Sequence, residues 1–214
     1  MERVVFVASL MLFVLTTANS NAQTSFGVGA GFNWFTISSI DKDNFYSGDY
    51  IPRLGNQFVI VGEKALNNKW AAHLGFSYSM QYTQNYITRV ETCMHYIKVQ
   101  PMVKYSGFSP DWMQRLYVTC GIYYGYATTG FLREYADTGD FEEIKLSPGK
   151  DNCIKKASDL GFASEFGFQI NKVRIGIFGQ ASFLNQSNVK NFKEHNFGLG
   201  VNMTYMFFNR KPTL

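Results

Sequence analysis

Proline and cysteine are scarce in this 214-residue chain, at 5 and 3 residues, and charged side chains make up only 17% of it. Ordinary soluble domains carry roughly 25% charged residues. An odd cysteine count excludes a disulfide framework as what holds the fold. Cys93 and Cys153 fall in or beside expected loops on the same side, which leaves two readings open, a pair or two free thiols. Cys120 lies mid-strand on an apolar face and reads as a small hydrophobe. After the N-terminus no apolar run reaches the roughly 20 residues of a spanning helix, so a helical membrane protein is excluded. A net charge of +4, spread thinly, excludes a nucleic-acid binder. What the chain does have is 46% apolar and 17% aromatic residues with 19 Gly, which excludes a disordered chain and leaves one domain as the natural count.

Residues 1–22 carry Arg3, an apolar stretch from Val4 to Leu15 too short to span a bilayer, and Ser20-Asn21-Ala22 as an A-x-A-like cleavage site. That is the make-up of a secretory signal peptide, and the mature chain is expected to start at Gln23, after Ala22. No Cys follows the apolar stretch, which argues against a lipid-modified N-terminus. Residues 23–214 form the expected barrel domain.

From Ser25 onward the periodicity is two. Trp70, Ala72, Leu74, Phe76, Tyr78, Met80 and Tyr82 alternate with Ala71, His73, Gly75, Ser77, Ser79 and Gln81. The same contrast runs through Phe26 to Trp34, Leu116 to Tyr126 and Phe197 to Phe207. A soluble barrel with an apolar calyx would alternate as well, so composition has to decide which face points inward. The polar face holds Gly, Ser, Asn, Gln and Thr with isolated charges, not the Lys, Glu and Asp of a wetted exterior. Small residues suit the narrow lumen of an eight-stranded barrel. The apolar face then meets lipid, with Trp70 and Tyr82 at the aromatic girdles. Strands are expected at 25–37, 54–64, 69–83, 92–105, 114–129, 158–170, 173–184 and 195–208, joined by alternately long and short connections. The fold class is all-β, an eight-stranded antiparallel transmembrane up-and-down β-barrel. Its long loops are expected outside the cell and its short turns in the periplasm.

The stretch 158–185, SDLGFASEFGFQINKVRIGIFGQASFLN, resembles the penultimate hairpin of the outer membrane β-barrel domain widespread in Bacteroidota, the PorT-like family. YIKVQPMVKY at 96–105 is similar to that family's fourth strand, which often carries a Pro at the position of Pro101. The closing strand, ending at Phe207 and Phe208, resembles the aromatic-terminated signal that such barrels present to their assembly machinery. The resemblance implies a small barrel of the OmpA and OmpX class in the bacterial outer membrane. It implies lipid and the barrel assembly machinery as partners, and no single biochemical activity.

The projected lumen polar cluster is Glu63, Lys98, Lys104, Arg115, Glu165 and Arg174, with Glu63 included if the second strand faces as drawn. Buried charges must be paired, and Glu165 is the expected hub, bonded to one or more of Lys98, Arg115 and Arg174. Such a network would plug the lumen; the rival is a narrow passive channel lined by basic groups. Gly27-x-Gly29-x-Gly31 lies inside a strand, so it is read as packing and not as a nucleotide turn. His73 shares a face with Ser77 without a clearly placed acid. His95 and His195 make at most two metal ligands, short of the usual three or four. No catalytic residue, metal or cofactor is expected, and an outer-membrane enzyme ranks third. In the loops, Phe45, Tyr46 and Tyr50 leave two readings open, contact with a glycan or with an extracellular or secretion-system protein, and packing on the barrel rim. The expected function is a small structural or interaction barrel, a monomer, with adhesion, envelope maintenance or a secretion accessory role as candidates.

Overall fold

The computed structural model describes residues 24–41, 44–46, 50–108, 115–135, 141–150 and 153–207. Alternation of apolar and small polar residues builds β1 (Thr24–Asp41), β3 (Tyr50–Ala65), β4 (Trp70–Asn85), β5 (Val90–Tyr105), β6 (Leu116–Tyr135), β8 (Ser158–Ile170), β9 (Val173–Ser182) and β10 (Phe192–Met206). These eight pair antiparallel with their neighbours, and β10 pairs back onto β1 from Gly27↔Met206 to Asp41↔Phe192. Closure leaves no open sheet edge within the lipid, which is how a barrel pairs its backbone groups there. Two short strands, β2 (Asn44–Tyr46) and β7 (Phe141–Leu146), extend β1 and β6 at one end. Among the described residues there is no helix.

The faces follow composition. Phe26, Phe32, Trp34, Phe58, Phe76, Ile122, Phe166, Leu199 and Val201 are exposed on the outside, while Asn33, Gln57, His73, Ser77, Thr119, Gln180 and Asn202 are buried in the lumen. The glycines of the inner face make room for inward aromatics. A Cβ at Gly198 would lie 2.3 Å from the Phe35 ring, and one at Gly200 would lie 2.3 Å from the Phe178 ring.

Aromatic pairs mark both borders of the apolar band. At the end with short turns Trp70 and Tyr105 meet at 4.7 Å with their rings tilted, and Tyr82 and Phe131 meet at 6.2 Å at the end with long loops. Twelve positions separate Trp70 from Tyr82 along β4, roughly 40 Å at about 3.4 Å per residue. At a tilt near 45° that is roughly 28 Å of height, close to the apolar band of about 25 Å in such barrels. Just beyond Tyr82 and Phe131 the outer face turns polar, with Gln84, Glu91, Arg133 and Glu143 in register.

Six strands outrun their expected ends on the loop side, whereas β8 begins at Ser158 as expected and β9 stops at Ser182, short of 184. The loop expected at 130–157 begins instead with six more residues of β6 paired to β7, past a bulge between His95 and Tyr96 that leaves Thr128 extra. A bulge of this kind bends the strand and increases its twist. The loop expected at 38–53 likewise holds the end of β1, the strand β2 and the start of β3.

Candidate functional site: the filled lumen

Three buried layers of polar side chains cross the lumen. The layer nearest the turns centres on Glu63 of β3. Arg174 of β9 grips its carboxylate with two bonds, Nη1 to Oε1 at 2.5 Å and Nη2 to Oε2 at 2.6 Å. Lys104 of β5 donates to Oε2 at 3.1 Å, and His73 of β4 sits with Nδ1 2.9 Å from Oε1. Arg174 also donates from Nε to Gln169 at 2.6 Å, while the Tyr117 ring lies 5.1 Å from Lys104 Nζ and 5.5 Å from the Arg174 guanidinium.

In the middle layer Lys98 is fully buried. Its ammonium donates to Gln180 Oε1 at 2.5 Å and faces the rings of Phe35, Tyr123 and Tyr96 at 4.7, 5.0 and 5.6 Å. Close by, Asp159 collects the Tyr123 hydroxyl at 3.0 Å, the Ser182 hydroxyl at 2.5 Å and the Gln186 amide at 3.0 Å. A carboxylate saturated with donors in this way tolerates burial that an unpaired one would not.

The layer nearest the loops is a buried ion pair, Lys155 Nζ to Glu194 Oε2 at 2.7 Å. It fastens the 153–157 segment to β10. Backbone bonds from Lys156 to Gln186 and from Asn188 to Ile154, at 2.8 and 2.9 Å, tie the same segment to the β9–β10 connection.

Each projected cluster residue now has a place. Glu63, Lys104 and Arg174 come together; Lys98 belongs to the next layer. Glu165 is not the hub. Its donors are the Tyr117 hydroxyl at 2.5 Å and the Asn202 amide at 3.0 Å, and neither Lys98, Arg115 nor Arg174 bonds it. Geometry explains the exchange, because Glu63 on β3 lies at the level where β5 and β9 present Lys104 and Arg174. Arg115 stands exposed at the foot of β6, outside the lumen. The acid missing beside His73 is Glu63 itself, whereas Ser77 is bonded by Gln100 at 3.4 Å. His95 faces outward and meets the Tyr78 hydroxyl at 2.5 Å.

Cys93 and Cys153 are both free. Cys93 occupies the outward row between Tyr82 and Phe131, while Cys153 packs inside with Met94, Tyr96 and Leu146, so a strand separates them. Tyr50 is half-buried at the start of β3, and its carbonyl accepts the Thr36 hydroxyl at 2.9 Å. The side chains of Phe45 and Tyr46 lie outside the described residues, as do Ala22, Gln23 and Phe208.

The sequence pattern put Tyr123 on the lumen row, but the inward aromatics Phe35 and Tyr96 were passed over, as were Asp159, Lys155 and Glu194 as lumen residues. A signal for the aromatics was present, since Phe35 keeps the phase of Gly27, Gly29 and Gly31.

The sequence model of one family, described as the outer membrane protein beta-barrel domain, matches residues 5–207. The chain belongs to the outer membrane protein beta-barrel domain family. This outer membrane barrel sits in the bacterial outer membrane. Solved structures similar to it include Ail, the attachment invasion locus protein of Yersinia pestis, at 10% identity over 86% of this chain and 99% of that one, with a TM-score of 0.43. Neisserial surface protein A gives 11% identity over 85% and 97%, with a TM-score of 0.48. OprG from Pseudomonas aeruginosa gives 12% over 88% and 98%, with a TM-score of 0.45. No curated protein sequence matches this outer membrane barrel.

Proposed function

We propose that this barrel has a structural or interaction role at the cell surface and conducts no solutes, its lumen being plugged by its own side chains. One observation carries the reading. A gap lined by Gln57, His73, Gln100 and Glu165 and another lined by Phe35, Gln81, Tyr96 and Lys155 each have a cavity volume of about 20 Å³. That is room for about one water molecule. Ion passage would have to break the Glu63 layer, the Lys98 layer and the Lys155–Glu194 pair in turn.

With conduction set aside, function rests on the loop end, where β6 and β7 stand beyond the aromatic border and the 153–157 and 183–191 segments are clamped together. Adhesion, envelope maintenance or an accessory role in secretion, through an extracellular or secretion-system protein, are the candidate roles. Short turns on one side and long loops on the other support turns in the periplasm and loops outside. The signal peptide of residues 1–22, insertion by the barrel assembly machinery, a PorT-like membership within Bacteroidota, a monomeric state and the lack of enzymatic activity belong to the same reading. The test is planar-bilayer recording of the refolded protein. Absence of a stable conductance supports the plugged barrel, and a steady open level refutes it in favour of a channel. A deletion strain assayed for export of secreted proteins separates the accessory role from the others.

A further inference from the structure

Among the described residues the two rims differ in charge. At the turn end Lys69, Arg115 and Lys172 are exposed, one on each of the three turns, and among the described residues no carboxylate is exposed there; Glu63 and Glu165 both point into the lumen. The loop end mixes signs, with Glu134, Glu142 and Glu143 exposed beside Lys145, Lys190 and Lys193.

Two of the turn-end cations stand just beyond aromatic clusters that close the apolar band. The Lys69 stem lies flat along Gly107, where an added Cβ would come within 2.5 Å of its Cγ, and the Lys69 carbonyl accepts the Ser106 amide at 2.8 Å. Beside it Trp70 meets Tyr105 at 4.7 Å with tilted rings, and Tyr105 meets Phe108 at 5.1 Å. Asn67 fixes this turn by accepting the amides of Lys69 and Trp70 at 2.8 and 2.9 Å. Across the barrel, Lys172 Nζ lies 6.0 Å from the Tyr205 ring, Tyr205 meets Phe207 at 5.2 Å, and Phe207 stacks on Phe26 at 6.1 Å.

From the centre of the band outward, each cluster therefore presents aliphatic surface, then aromatic rings, then an ammonium. A phospholipid presents acyl chain, glycerol ester and phosphate in the same order. Lysine reaches this level by laying its stem on the rings while its charge stays in the interface. We propose that the turn-end rim binds anionic phospholipid of the periplasmic leaflet, with Lys69 and Lys172 each holding a lipid phosphate. The chemistry rests on the cation and aromatic placement, and the choice of leaflet rests on the orientation proposed above.

The test uses full-length refolded protein in vesicles of equal parts phosphatidylcholine and phosphatidylglycerol, extracted with mild detergent and repurified, with retained lipid counted by mass spectrometry. Each basic residue near an anionic surface contributes about 1 kcal/mol, roughly fivefold. The wild type is expected to retain phosphatidylglycerol over phosphatidylcholine by roughly fivefold, since each lysine holds its own lipid. Lys69→Gln/Lys172→Gln is expected to bring the ratio to within about twofold, while the loop-end control Lys145→Gln/Lys190→Gln keeps it. Equal retention of the two lipids by the wild type, or the same enrichment in both double variants, would overturn the proposal. Maleimide labelling of Lys190→Cys on intact cells reports the orientation separately, so a wrong leaflet and a wrong lipid chemistry are told apart.

Discussion

Replacing Glu63 with Gln should be the most damaging single change in the lumen. The carboxylate takes two bonds from Arg174 at 2.5 and 2.6 Å, one from Lys104 at 3.1 Å and a contact from His73 at 2.9 Å, all with side chains under 10% exposed. Glutamine keeps the shape but removes the one carboxylate that bonds both cations of that layer. It also turns one acceptor into a donor that faces another donor. Breaking a buried ion pair by removing one partner costs about 3–5 kcal/mol. Glu165→Gln is the control. It too removes a lumen charge, half-buried, but from two neutral donors, Tyr117 and Asn202, and the amide oxygen still accepts one of them. With a charged hydrogen bond worth about 1.5–3 kcal/mol and a neutral one about 1, that change should cost about 1–2 kcal/mol. Urea unfolding from phospholipid vesicles, followed by tryptophan fluorescence and by the gel-mobility shift on boiling, measures both. Glu63→Gln/Arg174→Gln should recover at least half of the loss, since only Lys104 is then left unpaired. Equal costs for the two glutamates, or a Glu63→Gln cost below about 1 kcal/mol, would refute the assignment of the hub.

Three further outcomes are expected. Ile122→Arg, on the lipid face near mid-height, should cost about 2–4 kcal/mol in the same unfolding experiment, whereas Leu66→Arg, on an exposed turn, should fall within about 0.5 kcal/mol of the wild type. Because Cys93 and Cys153 lie on opposite faces of β5, mild oxidation should leave no intramolecular disulfide by non-reducing peptide mapping, and a 93–153 cross-linked peptide would contradict that placement. Glu194→Gln removes the partner of Lys155 and should expose the 153–157 segment to trypsin on intact cells while the heat-modifiable barrel persists; unchanged protection would show that the ion pair does not hold that segment.

Where alternation contrasted large apolar with small polar residues, the sequence was enough to place strand and face, as with β4 and β10. It faded above the aromatic border. There Arg133 and Glu143 face water on the outside, so the outward positions of β6 and β7 no longer look different from the inward ones. The hub was hidden for another reason. Glu63 and Arg174 are 111 positions apart, and their meeting depends on the stagger around the barrel and on the irregular β3–β4 pairing between Arg53 and Gln57. A period-two pattern assigns a side, not a height, so Glu165 and Glu63 were equivalent candidates until the strands were in register. Arg115 was misplaced by the same blindness to height, since its face is inward but its level lies below the lumen.

The most direct test of the central claim is depth-resolved quenching in vesicles whose acyl chains carry bromine. Single-cysteine variants in a background without Cys93, Cys120 and Cys153 would carry a fluorophore at positions 76, 122 or 201, or else at 77, 119 or 202. Strong quenching of the first set beside weak quenching of the second is the predicted result. The reverse order would mean that the rings of Phe76 and its companions enclose a central cavity, and a barrel built outward toward lipid would be contradicted.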